Sequence, residues 1–348
     1  MPRKEAFSVV LALLVGGCGG SSPTTPTDPS PPPPGGGVVN IDAVVFYDED
    51  GDGRLGANEA IRLPEVTVIV GGTSASTDFS GVASLSVSPG QQPVEVDAGT
   101  LPPYYAVPSL SMEVSSGMRL EVPATLSIGS NQPNLLMAFG DSITTGFRSS
   151  DGTGYRGPLE SMLDSRFGPM SIANEGIDGQ KTDKGAARID ESLSRVRPAM
   201  TLIHYGVNDW NFRACQFDPP ACPTVANLRF MLEAVQRHDS LPFLATILPA
   251  NTFFDARTPP QRNDWVRDTN REVRALAAEF GAVVVDLEAV FTKDGPPDKS
   301  GLYADHVHPN DEGYQVMAET FFEAMSHGEP GAASLSLPLW SYLRSNRH

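Results

Sequence analysis

The sequence predicts an α/β domain, a three-layer α/β/α sandwich around a parallel sheet, preceded by a small all-β sandwich. Two observations support this prediction. From Asn134 onward, five short apolar runs alternate with five stretches of helical periodicity, and strands that alternate with helices form parallel sheets covered on both faces. From Val38 to Ile128, short Val-rich runs are separated by Gly, Pro, Ser and Asp without a helical period, which is typical of a sandwich.

The apolar runs define the individual elements. The strands predicted for the all-β part are 38–47, 66–70, 82–87, 94–96 and 118–126. In the α/β part the predicted strands are 135–139, 170–173, 200–205, 243–247 and 283–285, and the predicted helices are 155–167, 183–196, 225–238, 260–280 and 311–325. In the fourth of these helices, apolar residues recur on one face at helical spacing, for example at Val266, Val273, Ala277 and Phe280.

Length and charge limit the possible functions. A chain of 348 residues is too long for one ordinary domain, so at least two folded units are expected. The formal net charge of -17 argues against nucleic acid as a partner, because a phosphate backbone requires a basic face. It also argues against electrostatic docking on anionic lipid.

The first 18 residues are predicted to be a lipoprotein signal peptide. A basic head at Arg3 and Lys4 is followed by an apolar run over 6–15, which is too short to span a bilayer as a mature helix. The run ends in Val15-Gly16-Gly17-Cys18, which resembles the lipobox of bacterial lipoproteins. The resemblance implies that Cys18 is lipidated and anchors the protein to a membrane outside the cytoplasm, at the bacterial outer membrane or cell surface. The alternative is an ordinary cleaved signal peptide with an incidental cysteine.

Composition divides the rest of the chain. Residues 19–37 are almost wholly Gly, Ser, Pro and Thr, so they are predicted to be a linker that holds the folded parts away from the membrane. The sandwich is predicted over 38–130 and the α/β domain over 133–327. A tail over 328–348 contains several Leu and aromatic residues, and the sequence does not decide whether it packs on a domain.

Two further cysteines, Cys215 and Cys222, lie close together in sequence. In an exported protein a disulfide is the expected state of such a pair. Metal binding is the weaker alternative, because no His or second pair of Cys lies nearby.

An acidic loop in the all-β part has the spacing of a calcium site. Side-chain oxygens of Asp48, Asp50, Asp52 and Glu59, with the carbonyl oxygen of Arg54, occupy the ligand positions of a twelve-residue calcium loop. The flanking segments are strand-like, so the loop resembles that of the Cna-B-like and Sdr-type sandwiches of bacterial surface proteins. The resemblance implies a structural Ca²⁺. A solvated acidic turn without an ion is the alternative.

Polar motifs follow two predicted strands of the α/β part, and a third motif lies near its end. Gly140-Asp141-Ser142 follows the first strand, Gly206-Val207-Asn208-Asp209 follows the third, and Asp305 precedes His308 by three residues near the end of the domain. Sites in parallel sheets lie at the carboxyl ends of the strands. A nucleophilic Ser requires a base, and the base requires an orienting carboxylate, which Asp305 and His308 can supply from one turn.

Together with Asn174-Glu175-Gly176 after the second strand, these motifs resemble the four sequence blocks of the GDSL/SGNH hydrolase superfamily over residues 133–327. The resemblance implies a flavodoxin-like sheet and a serine esterase without a catalytic cofactor. It implies Ser142 as nucleophile, His308 as base and Asp305 as orienting acid. The backbone N–H groups of Ser142 and Gly176 and the amide of Asn208 would form the oxyanion hole.

Residue-level alternatives remain at the sequence level. Asn208 would instead cap the loop after the third strand, and Gly176 would be only a turn glycine. His306 is the rival base, although its spacing from Asp305 differs from the pattern of the superfamily.

The expected function is that of an exported serine esterase that hydrolyses carboxylic esters through an acyl-enzyme. Gly154-Tyr155-Arg156 resembles a run in the carbohydrate-esterase branch, including acetylxylan esterases, which favours deacetylation of a polysaccharide. A lysophospholipase- or thioesterase-like enzyme acting on acyl esters is the first alternative. Acyl transfer to an acceptor other than water uses the same residues. A calcium-stabilised surface binding protein with an inactive hydrolase domain is the alternative from another class.

Overall fold

Seven short strands form two sheets in the N-terminal part of the chain. The computed structural model describes residues 37–254, 258–295 and 301–330. The strands are β1 (Val39–Tyr47), β2 (Thr67–Val70), β3 (Thr73–Ser76), β4 (Val82–Val87), β5 (Gly90–Val96), β6 (Leu110–Val114) and β7 (Arg119–Ala124). One sheet has the order β4-β1-β7 and the other β3-β2-β5-β6, and alternate side chains of both sheets share one apolar core. This arrangement confirms the predicted all-β part.

Two of these strands were not predicted from the sequence, and both are edge strands of the four-stranded sheet. All four residues of β3 are at least partly exposed, and in β6 only Val114 is buried. An edge strand with little buried surface lacks the strong alternation of apolar and polar residues that identifies a strand in sequence.

A five-stranded parallel sheet forms the middle layer of the α/β part. Its strands are β8 (Gln132–Gly140), β9 (Ser171–Gly176), β10 (Pro198–His204), β11 (Leu241–Ala245) and β12 (Val283–Val285), in the order β12-β11-β10-β8-β9. This is the flavodoxin-like strand order, in which the second strand is added on one side of the first and the third to fifth strands on the other side. The predicted fold class is thereby confirmed.

Helices cover both faces of this sheet. In chain order they are α1 (Ser142–Thr145), α2 (Arg156–Phe167), α3 (Thr182–Val196), α4 (Arg213–Phe217), α5 (Thr224–Arg237), α6 (Gln261–Phe280), α7 (Leu287–Phe291) and α8 (Asp311–His327). Apolar residues of α3, α5 and α6 pack on one face, and α2 and α8 pack on the other. The four- and five-residue helices were missed in the sequence because they are too short to show a helical period.

The carboxyl ends of three neighbouring strands are level with one another. Gly140 at the end of β8 is in register with Gly176 of β9 on one side and with His204 of β10 on the other. The loops that follow these strands therefore leave the sheet side by side. A ligand site is expected where the loops after β8 and β10 diverge.

The sandwich and the α/β part pack directly against each other. The described residues between Gly37 and Pro330 belong to one compact unit, and a single apolar core extends from the sandwich to the face of the parallel sheet that α2 and α8 cover. The Tyr104 hydroxyl accepts a hydrogen bond from the backbone N of Val283 at 3.1 Å and lies 2.5 Å from the carbonyl oxygen of Pro242. Its ring packs edge-on against Phe243, with the centroids 5.6 Å apart. The boundary between independently folding domains stays a prediction.

Several predicted features lie outside the described residues. These are the signal peptide with Cys18, the linker apart from Gly37, and the tail beyond Pro330. Within the described ranges, no helix is both long and apolar enough to cross a bilayer.

We expect Tyr104→Phe to lower the free energy of unfolding by about 1–3 kcal/mol, because the backbone N–H of Val283 and the carbonyl of Pro242 lose their partner in a partly buried interface. Urea unfolding followed by fluorescence and circular dichroism measures this change. Ser111→Ala, which removes an exposed sandwich hydroxyl, is the control and should have little effect. Equal stability of both variants would show that the Tyr104 contacts contribute little to the packing of the two parts.

Candidate active site

Ser142 is the first residue of α1, immediately beyond the end of β8. The carboxylate of Asp141 caps this short helix by accepting a hydrogen bond from the backbone N of Ile143 at 3.0 Å. Gly140 permits the sharp transition from strand to helix, because a Cβ at this position would lie 2.0 Å from Thr144 Oγ1 and 2.5 Å from the carbonyl oxygen of His204. The Ser142 side chain is thus held at the carboxyl edge of the sheet.

The Ser142 hydroxyl contacts a His–Asp pair that is distant in sequence. Ser142 Oγ lies 2.9 Å from His308 Nε2, and His308 Nδ1 lies 2.8 Å from Asp305 Oδ2. A carboxylate can only accept, so Nδ1 carries the proton and Nε2 is left to accept from the Ser142 hydroxyl. Such a chain of contacts can remove a proton from the hydroxyl as it attacks an electrophile. The rival base, His306, has its Nδ1 3.9 Å from Asp305 Oδ1.

The Asp305 carboxylate is held in its ionised form. Partial burial by itself would raise its pKa, but the backbone N–H groups of His308 and Val307 donate to Oδ1 at 2.8 and 3.0 Å. These bonds and the contact with the His308 ring outweigh the burial and lower the pKa of Asp305 to about 2. The carboxylate is therefore available to orient the imidazole and to balance a positive charge on it across the neutral pH range.

The turn after α1 covers the His–Asp pair, which the sequence did not reveal. The Phe147 ring packs against the His308 ring with the centroids 4.8 Å apart, and Arg148 Nε lies 3.3 Å from Asp305 Oδ2. The Arg148 side chain is half exposed, so this ion pair contributes little to stability. No motif predicts either contact, because each joins the turn after α1 to a segment about 160 residues later in the chain.

Gly176 at the end of β9 is required by close packing. A Cβ at this position would lie 2.6 Å from the backbone N of Thr145 and 2.9 Å from the carbonyl oxygen of Asp141. The residue thus lies directly against the turn that carries Ser142, rather than serving only as a turn glycine. In the structure its backbone N–H donates to Asn174 Oδ1 at 3.0 Å.

Asn208 lies at the same edge, in the loop after β10. Its side chain forms no capping bond to the short 3₁₀ turn that follows it, in contrast to the capping alternative. Instead, Nδ2 donates to Asp141 Oδ2 at 3.2 Å and to the carbonyl oxygen of Gln180 at 3.1 Å. Asn208 and Gly176 are thus both beside the Ser142 turn, and a ligand oxygen would compete with these internal acceptors.

Two buried carboxylates organise the strand ends, and their roles were not predicted. Burial raises the pKa of Asp141 to about 7. Asp209 is fully buried and accepts hydrogen bonds from the Thr224 hydroxyl at 2.7 Å and from both the backbone N and the hydroxyl of Thr182. These threonines are the first residues of α3 and α5, so Asp209 joins two helices to the loop that presents Asn208. The sequence signal that could have revealed these roles is that each carboxylate is adjacent to a candidate site residue, Ser142 or Asn208.

The Gly-Tyr-Arg run also supports the Ser142 turn. The Tyr155 side chain is fully buried, its hydroxyl lies 3.2 Å from Thr144 Oγ1, and its ring stacks on Phe321. Arg156 Nε donates to the carbonyl oxygen of Thr144 at 2.8 Å. Both side chains therefore stabilise α1, so the run provides no direct information about the substrate.

A cavity of about 500 Å³ adjoins the site. It is lined by Trp210, Asn211, Gln216, Thr258, Pro259, Arg262 and His306. Trp210 follows Asn208 by two residues, and His306 lies between Asp305 and His308 in sequence. The disulfide Cys215–Cys222, which the structure contains as predicted, closes the neighbouring loop that carries Gln216.

The acidic loop of the sandwich brings three carboxylates together. Asp48, Asp50 and Asp52 have oxygens within 4.8 Å of one another. Asp48 also accepts from the backbone N of Gly51 and of Gly53, which folds the loop around this carboxylate. The three oxygens suit a hard cation. Glu59 does not join this cluster, because its carboxylate accepts from the backbone N of Glu49 at 2.8 Å and of Gly56 at 2.6 Å.

Known proteins resemble the α/β part. The model of the GDSL-like lipase/acylhydrolase family matches residues 138–316. Thioesterase 1/protease 1/lysophospholipase L1 of Escherichia coli (strain K12) is 32% identical over 191 residues, which are 53% of this chain and 79% of that protein. An arylesterase of Vibrio mimicus is 25% identical over 197 residues, 56% of this chain and 89% of its own length. Among solved structures, an acetylxylan esterase from Geobacillus stearothermophilus is similar with a TM-score of 0.45 and 25% identity, covering 57% of this chain and 96% of that one.

The fold and the strand-end motifs are those of a hydrolase, and the chain belongs to the GDSL-like lipase/acylhydrolase family. It is a carboxylic ester hydrolase.

Proposed function

We propose that Ser142, His308 and Asp305 cleave carboxylic esters through an acyl-enzyme intermediate. The observation that carries this proposal is the unbroken chain of contacts from the Ser142 hydroxyl through the His308 ring to the Asp305 carboxylate, at 2.9 and 2.8 Å. The imidazole is partly buried between Phe147 and Asp305, so its orientation is restricted before substrate arrives.

In the first half of the reaction, Ser142 Oγ attacks the carbonyl carbon of the ester while its proton moves to His308 Nε2. The imidazolium is stabilised by the ionised Asp305. As the tetrahedral intermediate collapses, its bond to the alcohol oxygen breaks and His308 returns the proton to that oxygen. Water then attacks the acyl-enzyme by the same route, which releases the acid and regenerates the Ser142 hydroxyl.

The oxyanion of the tetrahedral intermediate requires donors beside the Ser142 turn. Ser142 is the first residue of α1, and the N–H groups at the start of a helix have no partner within it. The N–H of Gly176 and the amide of Asn208 would complete the hole by exchanging their internal acceptors, Asn174 and Asp141, for the substrate oxygen. Donor bonds in an empty site often realign when substrate binds.

The experiment is a panel of p-nitrophenyl esters of increasing acyl length, hydrolysed by wild type, Ser142→Ala and Asn208→Ala. We expect Ser142→Ala to lose turnover together with covalent labelling by a fluorophosphonate. Asn208→Ala should lower kcat about 10²–10³-fold, the usual cost of one oxyanion donor, but keep the labelling. Ser161→Ala, an exposed hydroxyl on α2, is the matched control and should behave as wild type. Ester turnover that survives in Ser142→Ala would refute the assignment.

For the substrate we propose an acylated carbohydrate with a short acyl group. The cavity beside the site supports this, because its lining combines Trp210, the amides of Asn211 and Gln216, and the Thr258 hydroxyl. An aromatic face with several amide and hydroxyl groups suits a sugar ring better than a long acyl chain, which requires an apolar groove. In the panel, acetyl and propionyl esters should then be preferred, and acetylated xylan should release acetate.

A lipolytic function is the second candidate. The relative from Escherichia coli, 32% identical to this chain, is described as a thioesterase and lysophospholipase. Preference for long acyl esters in the same panel would favour this candidate over carbohydrate deacetylation. The alternative of an inactive binding protein loses support from the complete set of Ser142, Gly176, Asn208 and His308.

We also propose that the acidic loop binds one structural Ca²⁺, as expected for a sandwich of the Cna-B-like or Sdr-type class. The clustered carboxylates of Asp48, Asp50 and Asp52 support it, because three negative charges at this spacing repel one another without a cation. The carbonyl of Arg54 and, after a change of partners, the carboxylate of Glu59 would complete the ligand set.

Calcium at 100 times its dissociation constant should then stabilise the protein by about 2.7 kcal/mol, because it binds only the folded loop. Thermal unfolding in EDTA and in calcium measures this. Asp50→Asn should remove most of the calcium-dependent rise in Tm, whereas Glu113→Gln, the same exchange at an exposed position outside the loop, should keep it. A wild-type Tm that is the same in EDTA and in calcium would contradict a calcium site.

Finally, we propose that the protein is exported and anchored to a bacterial outer membrane or cell surface through lipidated Cys18. The support is the sequence alone, namely the apolar run that ends in Gly16-Gly17-Cys18 and the spacer that follows. Cys18→Ala should move the protein from the membrane to the soluble fraction, as measured by fractionation and immunoblotting. Cys18→Ser should do the same, because a hydroxyl cannot form the thioether. Membrane association of both variants would exclude the anchor.

A further inference from the structure

The cavity beside the active site contains a buried cation that forms no ion pair with any of the described residues, although the buried Asp141 carboxylate acts on it at longer range. Arg262 is only 6% exposed, and its Nη2 donates to the carbonyl oxygen of Val207 at 2.6 Å. Its Nε has no hydrogen-bond partner, and none of the ion pairs between described residues includes it. A buried charge is costly unless it is paired, so Arg262 is suited to receive an anion.

Helix energetics do not explain this position either. Arg262 is the second residue of α6, a helix of 20 residues, and a positive charge at the start of a helix opposes the helix dipole. Burial lowers the pKa of Arg262 to about 10, so the side chain stays charged at neutral pH while losing most of its hydration. The dipole of α6 and the guanidinium thus both favour a negative group at this point.

The other described residues that line the cavity carry no negative charge. The chain carries 42 acidic and 25 basic residues, yet none of the described residues around this cavity is acidic. Apart from Arg262, the lining consists of the polar side chains named above and of Trp210 and Pro259. A cavity lined by a buried guanidinium, with no acidic residue in its described lining, favours an anionic ligand.

The cavity is connected to the reacting groups on two sides. Arg262 holds the carbonyl of Val207, the residue before Asn208, and His306 is flanked by Asp305 and Val307 in the turn that carries His308. The lining therefore shares two loops with the residues of the proposed active site.

We propose that this cavity is an anion subsite, which binds a carboxylate or phosphate that the substrate carries close to the scissile ester. This inference rests on the proposed esterase function and narrows its substrate class to acylated acidic sugars. A guanidinium edge matches both anions by paired hydrogen bonds, and Trp210 can pack against the sugar ring.

The test compares three acetylated methyl glycosides that differ at one carbon: a glucuronoside with a carboxylate, a glucoside 6-phosphate, and the neutral glucoside. Wild type should cleave one of the two anionic substrates with a kcat/KM about 10–100-fold above that of the neutral one, mainly through KM. The anionic substrate with the higher kcat/KM shows whether the subsite prefers a carboxylate or a phosphate. Equal values for all three substrates would overturn the subsite.

Two variants test whether the preference for anionic substrates arises in this cavity. Arg262→Gln should abolish it, and Asn211→Asp, which places a carboxylate on the exposed rim of the cavity, should reduce or reverse it without altering Arg262. Gln91→Glu makes the same change of charge on an exposed strand of the sandwich and should leave the preference unchanged. If Arg262→Gln does not fold, Asn211→Asp alone decides, and an unchanged preference in it contradicts the proposal.

Binding separates this inference from the esterase function. Calorimetric titration with unacetylated methyl glucuronoside and with inorganic phosphate should show binding to wild type and at least tenfold weaker binding to Asn211→Asp. Binding of this kind in a protein that cleaves none of the esters would retain the subsite and refute the proposed catalysis. Ester cleavage without such binding or preference would support the proposed catalysis and refute the subsite.

Discussion

The strands β8, β9 and β10 end level with one another, with Gly140 in register with Gly176 and His204. Hydrogen bonding between parallel strands imposes this alignment, and the loops that follow it carry Ser142, Gly176 and Asn208 side by side. A shift of one residue in either pairing would turn the side chains of that strand to the opposite face of the sheet. The chemistry at this edge therefore depends on the registers of two strand pairs.

Buried polar groups keep the edge in place where the sheet itself ends. Asp141 joins the start of α1 to Asn208, and Asp209 joins the same loop to the first residues of α3 and α5. Buried carboxylates are costly, and in both cases hydrogen-bond donors compensate for part of the lost hydration. Asp141 precedes Ser142 and Asp209 follows Asn208, so the groups that hold this edge in place and the candidate catalytic residues lie in the same short motifs.

The sandwich and the α/β part share one apolar core, and Tyr104 bonds to the backbone beside β11 and β12. The active-site edge is formed by β8, β9 and β10 instead. The sandwich thus supports the sheet without occupying the site. The cavity that contains Arg262 is formed by segments of the α/β part alone, namely the loop after β10, α4, the start of α6 and the turn before His308.

The sequence by itself determined the core strands and helices, because buried elements impose periods of two and 3.6 that can be read without coordinates. It also predicted Ser142, His308 and Asp305 as one set, because each lies in a short motif, and the structure places these three side chains in contact. Only the tertiary structure revealed the edge strands β3 and β6, the packing of Phe147 on His308, and the structural use of Tyr155 and Arg156. The unpaired charge of Arg262 likewise emerged only in three dimensions. These features depend on contacts between segments far apart in the chain, and no local pattern of residues records which distant segment will become a neighbour.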